Sequence, residues 1–407
     1  MINKAEEIMG LFDKYVIPCY ARKPLVLTRG KGTKVWDAAG KVYLDFVVGI
    51  AISNLGHAHP AFVDAVSKQA AQLNTVSNLY YTENQGRLAK ILSEISLQGK
   101  CFFCNSGAEA NEALIKLARL WGHDQGRFEV ISMRNSFHGR TLATLTATGQ
   151  SKVQKGFEPL PSGFVYADFN NLDSVKSAVT DKTAAVLVEP IQGEGGVIPA
   201  DKEFLRGLRA LCDEKNILLM FDEVQCGMGR TGQWFAFQHY GVTPDAFSLA
   251  KALAGGFPMG AMVTSPKVAD VLQPGKHATT FGGSPLACAA SLAYIKTVED
   301  EGLLKNAAEM GEKFREGLKA LVEKYEHLKE VRGMGLMIGL VLDQSAKELE
   351  AKLTDMGLLS LATAENVLRF LPPLNVKAAE IDEALEMIDD VCAEWHGVTP
   401  PDEQSQS

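Results

Sequence analysis

Ile217-Leu218-Leu219-Met220-Phe221 runs into Asp222-Glu223, and further along Ala246-Phe247-Ser248-Leu249-Ala250 runs into Lys251. Short apolar runs bounded by loop signals read as strands buried on both faces of a parallel sheet. In an open α/β sheet, ligands bind outside the carboxyl ends of such strands. Asp222 and Lys251 therefore reach one crevice from neighbouring strand ends. A carboxylate and an amine so placed suit pyridoxal phosphate, whose aldehyde takes a lysine as a Schiff base and whose ring nitrogen a carboxylate keeps protonated. Taken alone, an Asp and a Lys at strand ends are as a rule solvated loop charges, so the surrounding segments must carry the case.

Working outward, helix-like and strand-like segments alternate. Residues 61–73, 84–96, 108–121 and 201–215 read as helices. Residues 101–104, 128–132 and 184–188 read as strands between them. This βαβ alternation implies a mostly parallel central sheet with helices on both faces, an α/β large domain spanning 49–285. Beyond it the pattern changes. Helices at 285–300 and 302–325 lead to one strand over 331–340, a helix at 345–356, a strand pair around 358–371 and a helix at 377–395. That is a smaller α+β domain over 286–396. Residues 1–48 carry a strand pair about an Ala39-Gly40 turn and are expected to pack with it. The polar tail 397–407 is expected to be disordered.

Composition narrows the function. The net charge of −8 argues against a general nucleic-acid or anionic-membrane partner. No apolar run approaches the roughly 18–20 residues that span a bilayer. Met1-Ile2-Asn3-Lys4-Ala5-Glu6-Glu7 has acidic residues and no apolar leader core, and the seven cysteines are an odd number in mostly apolar contexts. Both fit reduced thiols and a cytoplasmic location. Cys101-Phe102-Phe103-Cys104 is formally C-x-x-C, but a redox pair needs an exposed helix start and this reads as a buried strand. Gly56-His57-Ala58-His59-Pro60 lacks a second ligand cluster, so it reads as a turn before a helix, and no metal is expected.

Three further segments bear chemistry. Asn105-Ser106-Gly107-Ala108-Glu109 lies between a strand and a helix, where small residues let backbone N–H groups approach a phosphate. This segment is not G-x-G-x-x-G, and the Walker pattern occurs nowhere in the chain, which favours a cofactor phosphate over a nucleotide. In Ser136-Phe137-His138-Gly139-Arg140, Phe137 can stack on a flat ring, or it is a core aromatic beside an exposed arginine. Glu189-Pro190-Ile191-Gln192-Gly193-Glu194 follows a buried strand and puts both glutamates on the crevice side.

In order and spacing these segments resemble the class III (fold type I) pyridoxal-phosphate aminotransferases, from about Tyr20 to Pro373. The marks are Asn105-Ser106-Gly107-Ala108-Glu109-Ala110-Asn111-Glu112, Phe137-His138-Gly139-Arg140-Thr141-Leu142, Glu189 to Gly196, Asp222-Glu223-Val224-Gln225, Gly227-Met228-Gly229-Arg230-Thr231-Gly232 and Leu249-Ala250-Lys251-Ala252-Leu253. The resemblance assigns Lys251 as the Schiff-base and proton-moving lysine and Asp222 as the partner of the ring nitrogen. Gln225 falls near the ring hydroxyl, with Glu223 and Val224 also at the cofactor. Ser106, Gly107 and Ala108 form the phosphate cup, Phe137 stacks, and Thr280 reaches a phosphate across a homodimer interface.

For substrates, the resemblance implies that Arg140 holds a distal carboxylate beside Thr279, with Tyr20 also in contact. Arg369 takes the α-carboxylate of glutamate, and Glu194 pairs with Arg369 when that group is missing. The implied reaction moves the terminal amine of N-acetylornithine to 2-oxoglutarate, a step of arginine biosynthesis. Succinylornithine, N-succinyl-diaminopimelate, 4-aminobutyrate and ornithine are alternative donors, and a cofactor-binding module without turnover is the rival of another class. Thr279, Ser284 and Cys226 depart from the residues common in the family. Ile50 stands where ornithine-specific members tend to carry tyrosine, which argues against free ornithine.

Overall fold

Alternate residues of the central strands face two different cores in the computed structural model, which describes residues 4–395. Leu219 and Phe221 pack with Val186 and Val188 against Leu205 and Leu208 of the amphipathic helix Lys202–Lys215. Leu218 and Met220 point the other way, with Leu187, onto Leu114 and Leu117 of helix Gly107–Gly122. All of these side chains are fully or almost fully buried. Each contributes about 1.5–3 kcal/mol of apolar burial, so both faces of the sheet must be covered.

The seven strands lie in the order Cys101–Cys104, Gly260–Thr264, Ala246–Leu249, Leu218–Asp222, Thr183–Val188, Glu129–Met133, Phe164–Ala167. Only Gly260–Thr264 runs against the others. The mostly parallel α/β sheet expected from the sequence is therefore present. Gly260–Thr264 and Phe164–Ala167 were not foreseen as strands, because glycines and loop-like flanks mask them. Cys101 and Cys104 sit on an edge strand with free thiols, both pushed up to about 12 by burial, which leaves no redox thiolate.

Two four-stranded sheets and a short pair, Ile191–Gln192 with Ile198–Pro199, complete the described fold. The stretch 331–340, expected as one strand, is a hairpin of Leu328–Met334 and Met337–Leu342. Gly333 and Gly335 have φ of +113° and +54°, and a Cβ on Gly333 would lie 1.9 Å from the Met337 carbonyl oxygen, so the chain reverses there. The hairpin continues through Val367–Phe370 to Leu361–Thr363. At the N-terminus there are three strands rather than a pair: Leu27–Lys31, Lys34–Asp37 and Val42–Asp45. Leu358–Leu359 joins them, parallel to Val42–Asp45. The tail 397–407 lies outside the described residues.

Candidate active site

Five parallel strands release their carboxyl ends into one cavity of about 470 Å³, lined among others by Ser106, Gly107, Ala108, Phe137, Arg140, Glu189, Asp222, Val224, Gln225 and Lys251. Asp222 ends its strand and is buried. Its Oδ2 accepts from Asn111 Nδ2 at 2.7 Å and His138 Nδ1 at 2.8 Å, and its Oδ1 accepts from the Val224 N–H at 3.0 Å. Burial opposes a charged ring at His138, but Asp222 and Glu189 outweigh it and push its pKa above the ordinary value. Neither Asn111 nor His138 was among the expected site residues. Asn111 did leave a signal, as a polar residue on a helix face otherwise made of Ala110, Ala113 and Leu114.

Lys251 opens a single helical turn, Lys251–Ala254, in a left-handed conformation with φ of +48°. Such strain in a lysine persists only where the surroundings over-determine it, and it gathers at functional sites. Burial and then the charge of Arg369 pull its amine down to about 8, against the pull of Glu194 and Asp222.

At the cup, Ser106 caps helix Gly107–Gly122, its hydroxyl accepting from the Glu109 N–H at 3.2 Å. The Gly107 and Ala108 N–H groups, ahead of the first helical bond from the Ala110 N–H to the Ser106 carbonyl, face the positive end of the helix dipole. A Cβ on Gly107 would come within 2.8 Å of Val224, and one on Gly260 within 2.4 Å of the Ser106 carbonyl oxygen, so glycine lets these walls close. Thr279 accepts from Asn105 Nδ2 at 3.0 Å beside the cup, whereas Thr280 is exposed and lines no part of this cavity.

Across the cavity, half-buried Phe137 presents its ring with the Arg140 guanidinium 5.4 Å from the centroid. The Phe137 N–H donates to Glu189, which burial pushes up to about 8. Arg369 is fully buried on strand Val367–Phe370 and donates to Glu194 at 2.7 Å and to Gln225 Oε1 at 2.9 Å. Burial would raise the Glu194 pKa, yet Arg369 and then Lys251 hold it below the usual carboxylate range. Gln225 fits there because Gly193 has no side chain; a Cβ would lie 2.4 Å from its Oε1. Glu194 and Arg140 also line an outer cavity of about 250 Å³ with Phe137, Lys152 and Thr363.

Two of the expected site residues lie away from this cavity in the single chain. Glu223 turns away from the cavity, because its carboxylate accepts from the Ala236 and Phe237 N–H groups at 2.9 and 2.8 Å and from Cys226 Sγ. Tyr20 is 71% exposed and lines a separate groove with the N-terminal helix, its ring under the Arg22 guanidinium. Ile50 packs on an apolar cluster with Ile191 and Leu371, and Ile52 is the residue that lines the cavity. His57 and His59 pair with Asp45 and Glu301 at 2.8 and 3.2 Å.

These residues fit pyridoxal 5'-phosphate. One enclosed amine, an anchored carboxylate, a helix-start cup and an aromatic wall share the cavity, and buried His138 Nε2 and Asn111 Oδ1 have no partner among the described residues. The comparisons agree. Residues 18–392 match the family model described as aminotransferase class-III. An acetylornithine aminotransferase of Methanocaldococcus jannaschii is 52% identical, covering 96% of this chain and 98% of its own. One from Caldanaerobacter subterraneus is 50% identical over 94% and 98%. The solved ornithine aminotransferase of Toxoplasma gondii superposes with a TM-score of 0.93 at 33% identity, covering 98% of this chain and 97% of its own. The N-acetylornithine aminotransferase of Stenotrophomonas maltophilia gives 0.83 at 37%, over 96% and 100%. With that match and this cavity, the chain belongs to the class-III aminotransferases and is a pyridoxal-phosphate-dependent transaminase.

Proposed function

We propose that the protein moves the terminal amine of N-acetylornithine to 2-oxoglutarate, giving N-acetylglutamate 5-semialdehyde and glutamate, in arginine biosynthesis in the cytoplasm. The names of relatives at about half identity support the donor. The observation that carries the reading is the Arg369–Glu194 pair at 2.7 Å in the pocket of Lys251. Glutamate brings a carboxylate on its reacting carbon; a terminal-amine donor does not. A fully buried guanidinium without a partner is costly, and Glu194 supplies the partner when the substrate cannot. Arg369 Nε and Nη2 have no partner among the described residues, so donors remain for a carboxylate.

When bound, pyridoxal 5'-phosphate supplies an aldehyde that captures the amine and a ring that stores the electrons left as the proton departs. The chain's own residues do the rest. Ser106, Gly107 and Ala108 would hold the phosphate, Phe137 would cover the ring, and Asp222, its carboxylate fixed by Asn111 and His138, would keep the ring nitrogen protonated. Lys251, with its amine near 8, takes and returns a proton at neutral pH. Arg140, over the Phe137 ring, holds the carboxylate that both substrates present at the far end, with Thr279 assisting. The described parts of the expected smaller unit, 4–48 and 286–395, pack together against 49–285.

A second copy completes the site as a homodimer. Leu79, Tyr81 and Phe281 are 82%, 107% and 60% exposed, and the Asn78 side chain ties this segment to Gly282 of the Thr280 loop. An apolar patch of this kind beside a phosphate-binding threonine suits a self-complementary interface. The test of substrate is single-turnover measurement of each half-reaction. Arg369→Ala is expected to lose roughly 10²-fold more kcat/KM for glutamate than for N-acetylornithine. Equal losses overturn the assignment.

A further inference from the structure

Arg230 is fully buried, and all the partners of its guanidinium are neutral. Nη1 donates to the carbonyl oxygens of Leu336, at 3.1 Å, and of Pro372, and Nη2 donates to Asn54 Oδ1. Burial lowers its pKa to about 10, so it stays charged at neutral pH. A buried cation with no carboxylate partner is costly, and an apolar side chain would avoid that cost. A planar fork of donors does what an apolar group cannot, tying several acceptors together in fixed geometry.

The three acceptors belong to separate segments, two of which lead to the site. Asn54 lies two residues beyond Ile52, which lines the wall. Pro372 lies three residues beyond Arg369. Leu336 sits in the hairpin turn, and its N–H donates back to the Arg230 carbonyl at 3.0 Å. The segments are also tied directly, by the Leu371 N–H to the Phe46 carbonyl at 2.6 Å and the Leu374 N–H to the Asn54 carbonyl at 2.7 Å. The approach is close, since a Cβ on Gly335 would lie 2.6 Å from the Thr231 Cα.

We propose that Arg230 is a positioning residue that sets where Arg369 stands relative to the Ile52 wall, and so governs recognition of the substrate carrying a carboxylate on its reacting carbon. The inference rests on the reading of Arg369 given above. Loss of the hub lets the strand end after Arg369 shift, which harms glutamate more than the terminal-amine donor.

The test uses the holoenzyme, with rates normalised to visible cofactor absorbance. In Arg230→Lys, kcat/KM for glutamate is expected to fall about tenfold further than for N-acetylornithine, mainly through KM. Asn54→Ala removes one acceptor and is expected to show the same asymmetry, while Asn54→Asp keeps an acceptor and is expected to restore near-equal values. If Arg230→Lys does not fold, the Asn54 pair decides. Equal losses for both substrates in Asn54→Ala, or an Asn54→Asp variant as asymmetric as Asn54→Ala, overturn the proposal. Arg369→Ala serves as the control. Asymmetry there without asymmetry at Arg230 or Asn54 removes this inference alone, and its absence there removes the reading of Arg369 together with it.

Discussion

Lys251 differs from the chain's surface lysines in one physical respect, which is that burial and Arg369 make its charged form expensive. The sign follows directly. A depressed pKa means that the neutral nucleophile appears at lower pH, so acylation of the cofactor-free protein at Lys251 should reach half its plateau near pH 8. Arg369→Gln should move that midpoint up, because a neighbouring positive charge is lost. Mass spectrometry of the labelled peptide against pH checks both, and a midpoint at the ordinary lysine value would rule the assignment out. At Asp222 the three hydrogen bonds hold the side chain in place where the ring nitrogen is expected. Asp222→Ala should lower the rate of each half-reaction by about 10³-fold while the fold stays intact. Near-normal rates in stopped-flow spectra would mean that another group protonates the ring.

Helix Gly107–Gly122 performs two tasks from one element. Its first turn offers free N–H groups to an anion, and one turn later Asn111 reaches Asp222. The reversed strand Gly260–Thr264 closes the cup from the side, with no space for a Cβ against the Ser106 carbonyl. Gly260→Ala should therefore weaken pyridoxal phosphate binding about tenfold or more and cost about 1–3 kcal/mol of stability, as overpacking does. Titration of the cofactor-free variant and a urea melt measure the two effects. Unchanged affinity would show that this close approach does not shape the cup.

For the whole molecule, the exposed Thr280 loop predicts that neither chain has a complete site alone. Mixing Lys251→Ala with Thr280→Ala chains should give more activity than either variant by itself. Each mixed dimer then has one site with an intact lysine and an intact threonine, about a quarter of wild-type sites after random exchange. A dilute monomer with full activity would exclude the shared site.

How much could be read in the chain follows from which forces act locally. The strands ending at Asp222 and before Lys251, the capped helix start at Ser106 and the two-faced burial of Leu218 to Phe221 were legible, because apolar periodicity and loop punctuation report local backbone state and burial. The reversed strand at Gly260 was not, since its glycines serve a close contact with Ser106 rather than a turn. The hairpin at Gly335 was missed for a related reason: its apolar flanks look like one continuous strand. Glu223 shows the limit most clearly. Its place beside Asp222 suggested the cofactor, yet successive strand residues point to opposite sides, and only the packed Ala236–Phe237 turn decided what it would bind. The partners of Asp222, the Glu194–Arg369–Gln225 chain and the three acceptors of Arg230 each join segments far apart in sequence. The sequence alone therefore determined which chemical groups line the ends of the strands. Their mutual distances, and hence their pKa values and pairings, were decided by tertiary packing, because Coulomb and hydrogen-bond energies depend on separations that no local pattern encodes.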